Sequence, residues 1–190
     1  MESQEKTDIE QPPDFLKSFE SQIEEINDFK CSFYITSSTP TEACFNAELE
    51  NKVSDLLSSI KKCPELPKYL QAYLLGKALN LYPKYVKECE EQLTRCIRLN
   101  PSFPQALNEL GECVWKRSDI NGAKKCFLAG LKLNKDDKAC LRNLSMAYRH
   151  LGGENGERLK NCAESLELAK RAVELDPDDG MSLCACWDTI

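Results

Sequence analysis

Histidine is almost missing from this chain of 190 residues, which carries only His150. The chemistry histidine most often supplies is missing with it, because acid–base and nucleophilic catalysis need a base held beside a nucleophile. His150 stands next to Arg149 and has no partner at a useful spacing. A phosphate-binding loop is also lacking, since Gly152-Gly153-x-x-Gly156 has neither the preceding strand nor the following lysine. Acidic pairs such as Glu90/Glu91 and Asp136/Asp137 read as solvated faces or helix starts. The expectation is a protein that is not an enzyme and uses no cofactor.

Three further shortages narrow the class. No apolar run approaches the ~20 residues that span a bilayer, and the acidic start Met1 to Glu10 is not a signal peptide. A soluble, intracellular protein with no membrane partner is therefore expected. No basic stripe offsets the net charge of −6, which argues against direct nucleic-acid binding. Cysteine is plentiful at eleven residues, yet the number is odd and no C-x-x-C pair occurs. With one histidine, a zinc site would have to be built almost wholly from thiolates, and only Cys184 and Cys186 lie close in sequence. The cysteines are read as structural thiols, with no metal site.

The chain does contain a repeat, with a period of 34 to 35 residues between Gly76 and Asp179. Gly76, Gly111 and Ser145 hold one small-residue slot, each preceded by leucine (Leu75, Leu110, Leu144). A second small slot follows at Cys89, Ala123 and Ser165, and a third at Cys96, Gly130 and Ala172. Each unit closes on Leu-x-Pro or its relic: Leu99/Pro101, Leu133/Lys135, Leu175/Pro177. Small residues let two helices cross closely while leucines fill the seams. This is the tetratricopeptide (TPR) pattern of two antiparallel helices per unit, and it predicts an all-α helical-repeat solenoid, because no single unit can bury its faces alone. A chain of this length buries ~70% of its unfolded surface, enough for a stable domain.

The domain reading follows from the same pattern. Residues 1–13 are polar, end in Pro12-Pro13, and are expected to be disordered. Asp14 reads as an N-cap, and 14–63 is predicted to hold a capping helix pair. Its first helix carries Phe15, Phe19, Ile23 and Ile26 at helical spacing; a loop spans Thr36 to Pro40; the second helix carries Phe45, Leu49, Val53, Leu56, Leu57 and Ile60. Such a pair is expected to cover the apolar face of the first repeat. Three units then occupy 64–179, at about 68–101, 104–135 and 137–177. The third has about eight extra residues near 152–160, around Gly152, Gly153 and Gly156, read as a longer turn. Residues 180–190 read as a truncated or divergent fourth repeat, with Cys186 in its leucine slot and the bulky Trp187 in its small slot. That ending is expected to leave an adhesive surface.

Function is expected on the concave side, where the A helices of the repeats present recurring positions. Repeat one offers Leu70, Tyr73, Lys77 and Asn80; repeat two Gln105, Asn108, Glu112 and Trp115; repeat three Ala139, Arg142, Met146 and Arg149. An aromatic platform, both signs of charge and two arginines suit an extended peptide with anchored side chains. Chaperone-binding TPR proteins resemble one another in a lysine/asparagine clamp for a C-terminal carboxylate. The corresponding slots here hold Tyr73, Lys77, Glu109, Ala139 and Asn143, so an adaptor for heat-shock chaperones is disfavoured.

Gly-Lys-Ala-Leu-Asn (76–80), Leu-Gly-Glu-x-x-Trp-Lys (110–116), Asn-Leu-Ser-Met-x-x-Arg (143–149) and Ala-Lys-x-Ala-Val (169–173) together resemble the tetratricopeptide repeat protein 5 family of stress-responsive coactivators. The resemblance covers roughly residues 65 to 182. It implies a peptide-reading adaptor that recognises the N-terminus of nascent tubulin at the ribosome and so starts decay of tubulin mRNA, with Arg149 as the groove arginine that touches the peptide. Its alternative implication is a nuclear scaffold and transcription cofactor that links p53 and an acetyltransferase coactivator in the stress response. Either role implies a cytoplasmic and nuclear protein. The family continues with more repeats and a C-terminal OB-fold barrel, so the resemblance places further peptide contacts beyond Ile190.

Overall fold

The structure, a computed structural model, describes residues 14–37, 41–152 and 154–179. The polar start 1–13, the loop tip 38–40, Gly153 and the divergent fourth repeat with Cys184, Cys186 and Trp187 lie outside the described residues. Among the described residues there are eight α-helices and no strand. They divide between Ile60 and Lys61 into two compact units.

The first unit is a helical pair, α1 (Asp14–Thr36) and α2 (Glu42–Lys62). Apolar residues three and four apart give each helix one buried stripe. In α1 the stripe is Phe19, Ile23, Ile26 and Phe33; in α2 it is Leu49, Val53, Leu56 and Ile60. Aromatic rings join the two helices near the turn: Phe29 stacks on Phe45 at 5.8 Å and Phe33 meets it edge-on at 5.3 Å. Thr41 Oγ1 accepts a hydrogen bond from the Cys44 amide at 3.2 Å and so caps the start of α2.

The second unit contains three helical hairpins: α3 (Lys68–Leu79) with α4 (Lys87–Leu99), α5 (Pro104–Lys116) with α6 (Ile120–Leu133), and α7 (Lys138–His150) with α8 (Asn155–Leu175). Each hairpin is a close pair, each B helix packs on the next A helix, and α5 also touches α3 and α7. The A helices α3, α5 and α7 therefore form the inner row of the stack. Aspartates start two of the helices. Asp119 accepts from the Gly122 amide at 2.8 Å and Asp137 from the Cys140 amide at 2.9 Å, each satisfying a donor the first turn leaves over.

The small slots lie where the repeat predicts close helix crossings. A Cβ added at Gly76 would stand 2.5 Å from Leu93 Cγ, and one at Gly111 would stand 2.7 Å from Phe127 Cδ1. Opposite these glycines, Cys89 and Ala123 are buried, and the Cys89 thiol donates to the Gly76 carbonyl at 3.2 Å. Repeat three fills the same crossing with two serines. Ser145 Oγ donates to the Ser165 carbonyl and Ser165 Oγ to the Ser145 carbonyl, each at 2.9 Å, so both buried hydroxyls are satisfied. The buried cysteines behave as small hydrophobes. Burial pushes the Cys96 thiol up to about 11 and the Cys140 thiol up to about 12, away from the reactive thiolate.

The extra residues of repeat three do not lengthen its turn. Only 151–154 separate α7 from α8, while α8 runs for 21 residues against 13 in α4 and 14 in α6. The surplus forms about two added helical turns ahead of Ser165. Glu157, Arg158, Leu159 and Lys160 are strong helix formers and outweigh the single Gly156.

Between repeats one and two, an ionic clasp holds the outer edge. Arg117, in the turn after α5, donates to both carboxylate oxygens of Glu90 on α4 at 3.1 and 2.8 Å, and Tyr85 donates to the same carboxylate at 2.7 Å. Beside Arg117, Ser118 takes a left-handed conformation with φ 66° to close the helix end.

A candidate peptide-binding groove on the A helices

Helices α5 and α7 run side by side in the inner row, and between them opens a pocket of about 290 Å³ lined by Glu112, Trp115, Phe127, Arg142, Asn143 and Met146. Four of the residues chosen from the sequence, Glu112, Trp115, Arg142 and Met146, thus converge on one hollow. Helical spacing accounts for this: Glu112 and Trp115 are three apart on α5, Arg142 and Met146 four apart on α7, so each pair shares one face. Phe127 rises from α6 as the floor and is 1% exposed. Trp115 is held by an edge-on contact with His150 at 5.1 Å, which gives the lone histidine a packing role.

Polar groups around the pocket are connected. Glu112 Oε1 accepts from Asn108 Nδ2 at 3.0 Å and from Asn143 Nδ2 at 2.8 Å, while Asn143 also donates to Asn108 Oδ1 at 2.9 Å. Asn108 is thereby a buried brace beneath the site. Arg142 donates to Asp179 at 3.3 Å, with both side chains largely buried. Arg142, one of the two arginines expected in the groove, is thus already engaged by an internal carboxylate. Arg149 lies in the last turn of α7, half-buried, and is not among the residues lining this pocket.

Repeat one contributes differently. Tyr73 is only 6% exposed, with its ring edge-on to Phe103 at 4.9 Å, so it is a packing residue and not the exposed platform expected from its slot. The responsible ring comes from the turn that opens repeat two. Lys77 stays half-buried, its Nζ 5.7 Å from the Tyr73 ring centre. Leu70 and Asn80 are also buried.

A second polar cluster joins Asn80, an expected groove position, to Glu109 and to Lys116, which was not among those positions. Asn80 Nδ2 donates to Glu109 Oε2 at 2.8 Å, and Lys116 donates to Asn80 Oδ1 at 2.8 Å and to the Tyr82 carbonyl at 2.9 Å. Burial, reinforced by the nearby Glu112 charge, pushes the Glu109 carboxyl up to about 7, against the opposing pull of Asn80, Lys77 and Lys116. A carboxyl whose pKa is higher in the folded chain binds more protons there than when unfolded, so its stabilising contribution is lost as the pH rises through about 7. Denaturant midpoints are therefore expected to fall between pH 5 and pH 8, and Glu109→Gln should flatten that slope. An equal slope in wild type and variant would refute this role for Glu109.

Among the described residues no group of three or more His, Cys, Asp or Glu side chains is placed to hold a metal ion, and no helix is long and apolar enough to cross a membrane.

Comparison with known proteins places this geometry. No family model matches the chain. It is 31% identical to mouse tetratricopeptide repeat protein 5 over 170 residues, 88% of this chain and 38% of that protein. It is 41% identical to the bovine protein of the same name over 110 residues, 57% of this chain and 25% of that protein. The chain thus spans between a quarter and about two fifths of the length of these curated relatives. Among solved structures, YrrB, described as a TPR protein with an unusual peptide-binding site, superposes with a TM-score of 0.54 at 18% identity, covering 90% of this chain and 87% of that one. That likeness shows the TPR fold.

Proposed function

Because the chain is a TPR protein related in sequence to tetratricopeptide repeat protein 5, we propose that its groove binds an extended peptide and that this peptide is the N-terminus of newly made tubulin at the ribosome. The observation that carries the peptide reading is the pocket between α5 and α7, where an aromatic ring, a thioether, a carboxylate and a guanidinium surround one hollow. Anchoring one side chain in such a pocket while the groove holds the backbone is how rigid helical scaffolds read short segments.

The tubulin reading is supported by the Asn143-Leu144-Ser145-Met146-x-x-Arg149 block. Arg149 stands three residues beyond Met146 and seven beyond Arg142, on the same face of α7. Fluorescence polarisation with a labelled tubulin N-terminal peptide tests it. Arg149→Ala is expected to weaken binding by more than about tenfold, the scale of a lost charged hydrogen bond, and Arg149→Lys to restore it only in part. Unchanged affinity in Arg149→Ala would sink the tubulin reading.

A second reading, a scaffold that joins transcription factors to an acetyltransferase coactivator, is favoured by the extra turns of α8. Residues 156–160 are exposed, and Leu159 is 73% exposed. On this reading, deletion of residues 152–162 abolishes pull-down of the coactivator while Arg149→Ala leaves it intact. The reverse pattern would leave the tubulin adaptor standing alone.

A further inference from the structure

Glu112 is the one carboxylate and Arg142 the one guanidinium that line the α5–α7 pocket, and the two are held differently. Glu112 is held through one oxygen by two neutral amides, those of Asn108 and Asn143, and among the described residues no lysine or arginine forms an ion pair with it. The cation that lines the pocket, Arg142, is paired with Asp179. Lys116, four residues on from Glu112, donates to Asn80 and to the Tyr82 carbonyl. Trp115, Phe127 and Met146 supply the apolar wall of the same hollow. A carboxylate at the edge of an aromatic and thioether wall is complementary to a long methylene stem that ends in a positive charge: the stem lies on the wall, the head reaches the acid, and the indole face attracts the cation as well.

We propose that this pocket is a subsite for a lysine or arginine side chain of the bound peptide, with Glu112 as the residue that selects the charge and Trp115 and Met146 as those that hold the stem. The proposal rests on the reading of the groove as a peptide site. Asn108 and Asn143 act as positioning residues, because their amides fix the Glu112 carboxylate and contribute no charge of their own. Arg142, already neutralised by Asp179, lines the subsite without repelling the ligand as a bare guanidinium would.

The test uses the full chain and five small probes: the N-acetyl, N-methylamide derivatives of arginine, lysine, citrulline, norleucine and glutamate. Binding is read from the Trp115 indole resonance, assigned with Trp115→Phe. The arginine and lysine probes are expected to shift that resonance and to bind at least about tenfold more tightly than neutral citrulline or norleucine, the scale of one charged hydrogen bond. The preference should weaken as salt is raised. Glu112→Gln, which keeps an amide oxygen for the asparagines, should bring the cationic and neutral probes to equal affinity. Equal affinity of norleucine in wild type, preference for the glutamate probe, survival of the cationic preference in Glu112→Gln, or no shift with any probe would each overturn the proposal. Selective binding of the cationic probes by a protein that ignores the tubulin peptide would retire the tubulin reading and leave the subsite standing.

Discussion

Phe127→Ala is expected to cost about 3–5 kcal/mol of stability, the range for emptying an aromatic site in a packed core. Phe127 is 1% exposed and is packed with Val114, Ala123, Leu144 and Ala147, with Leu110, Trp115, Ile120, Leu131, Tyr148 and Leu168 around them. That cluster joins repeats two and three, so the loss falls on the interface that holds the stack together, since each repeat depends on its neighbours for burial. A domain of ordinary stability has only about 5–15 kcal/mol in hand, and the thermal midpoint should drop on the order of 10 °C by circular dichroism. The same ring forms the floor of the groove pocket. Ligand response at Trp115 should therefore disappear even at temperatures where the variant stays helical. A midpoint within about 2 °C of wild type, less than 1 kcal/mol for a chain of this size, would show that Phe127 is not central to the core.

Gly111→Ala tests the packing from the opposite direction, by adding one methyl group. Its Cβ would stand 2.7 Å from Cδ1 and 2.8 Å from Cζ of Phe127, too close for any ordinary contact. An alanine in mid-helix is otherwise worth about 1 kcal/mol over glycine, while overpacking a filled core costs about 1–3 kcal/mol. The ring cannot swing away without opening its cluster, so the cost lies at the upper end of that range and a net loss of about 1–2 kcal/mol is expected. Gly156→Ala provides the comparison, because nothing lies within 4 Å of its added Cβ. It should leave stability unchanged or raise it by up to about 1 kcal/mol. In the double variant Gly111→Ala/Phe127→Leu, the losses should add to less than their sum, as expected for two residues in contact. A Gly111→Ala variant as stable as wild type would mean that the crossing is looser than its geometry indicates.

These two positions also show why the architecture could be read before any coordinates. Gly111 sits in a slot that recurs at Gly76 and Ser145, Phe127 meets it as Leu93 meets Gly76, and a helix crossing tolerates only small residues on one side of it. A rule that depends on residue size leaves its mark on the chain itself. The paired glycines and serines are therefore visible in sequence although their partners lie 13 to 20 residues away. Glu112, Trp115, Arg142 and Met146 were recoverable for a related reason, because the slots also fix which side of each A helix faces inward.

What could not be read was the outcome of contacts between repeats. Nothing in the repeat-one pattern tells that Phe103, thirty residues on, covers Tyr73, or that Asp179 takes the charge of Arg142. The glycines near 152 suggest a loop, yet the helix formers after Gly156 carry α8 backward by about two largely exposed turns. Periodicity and residue size are properties of neighbours along the chain, and they were enough to settle the helices, their pairing and the inward face. Whether a given inward side chain is free for a ligand depends on which distant group reaches it first, and that competition is resolved only when the hairpins are stacked. Glu112 is held by two asparagine amides and Arg142 is claimed by an aspartate, and that difference, visible only in the stacked hairpins, is what our proposal of a cation-selective subsite rests on.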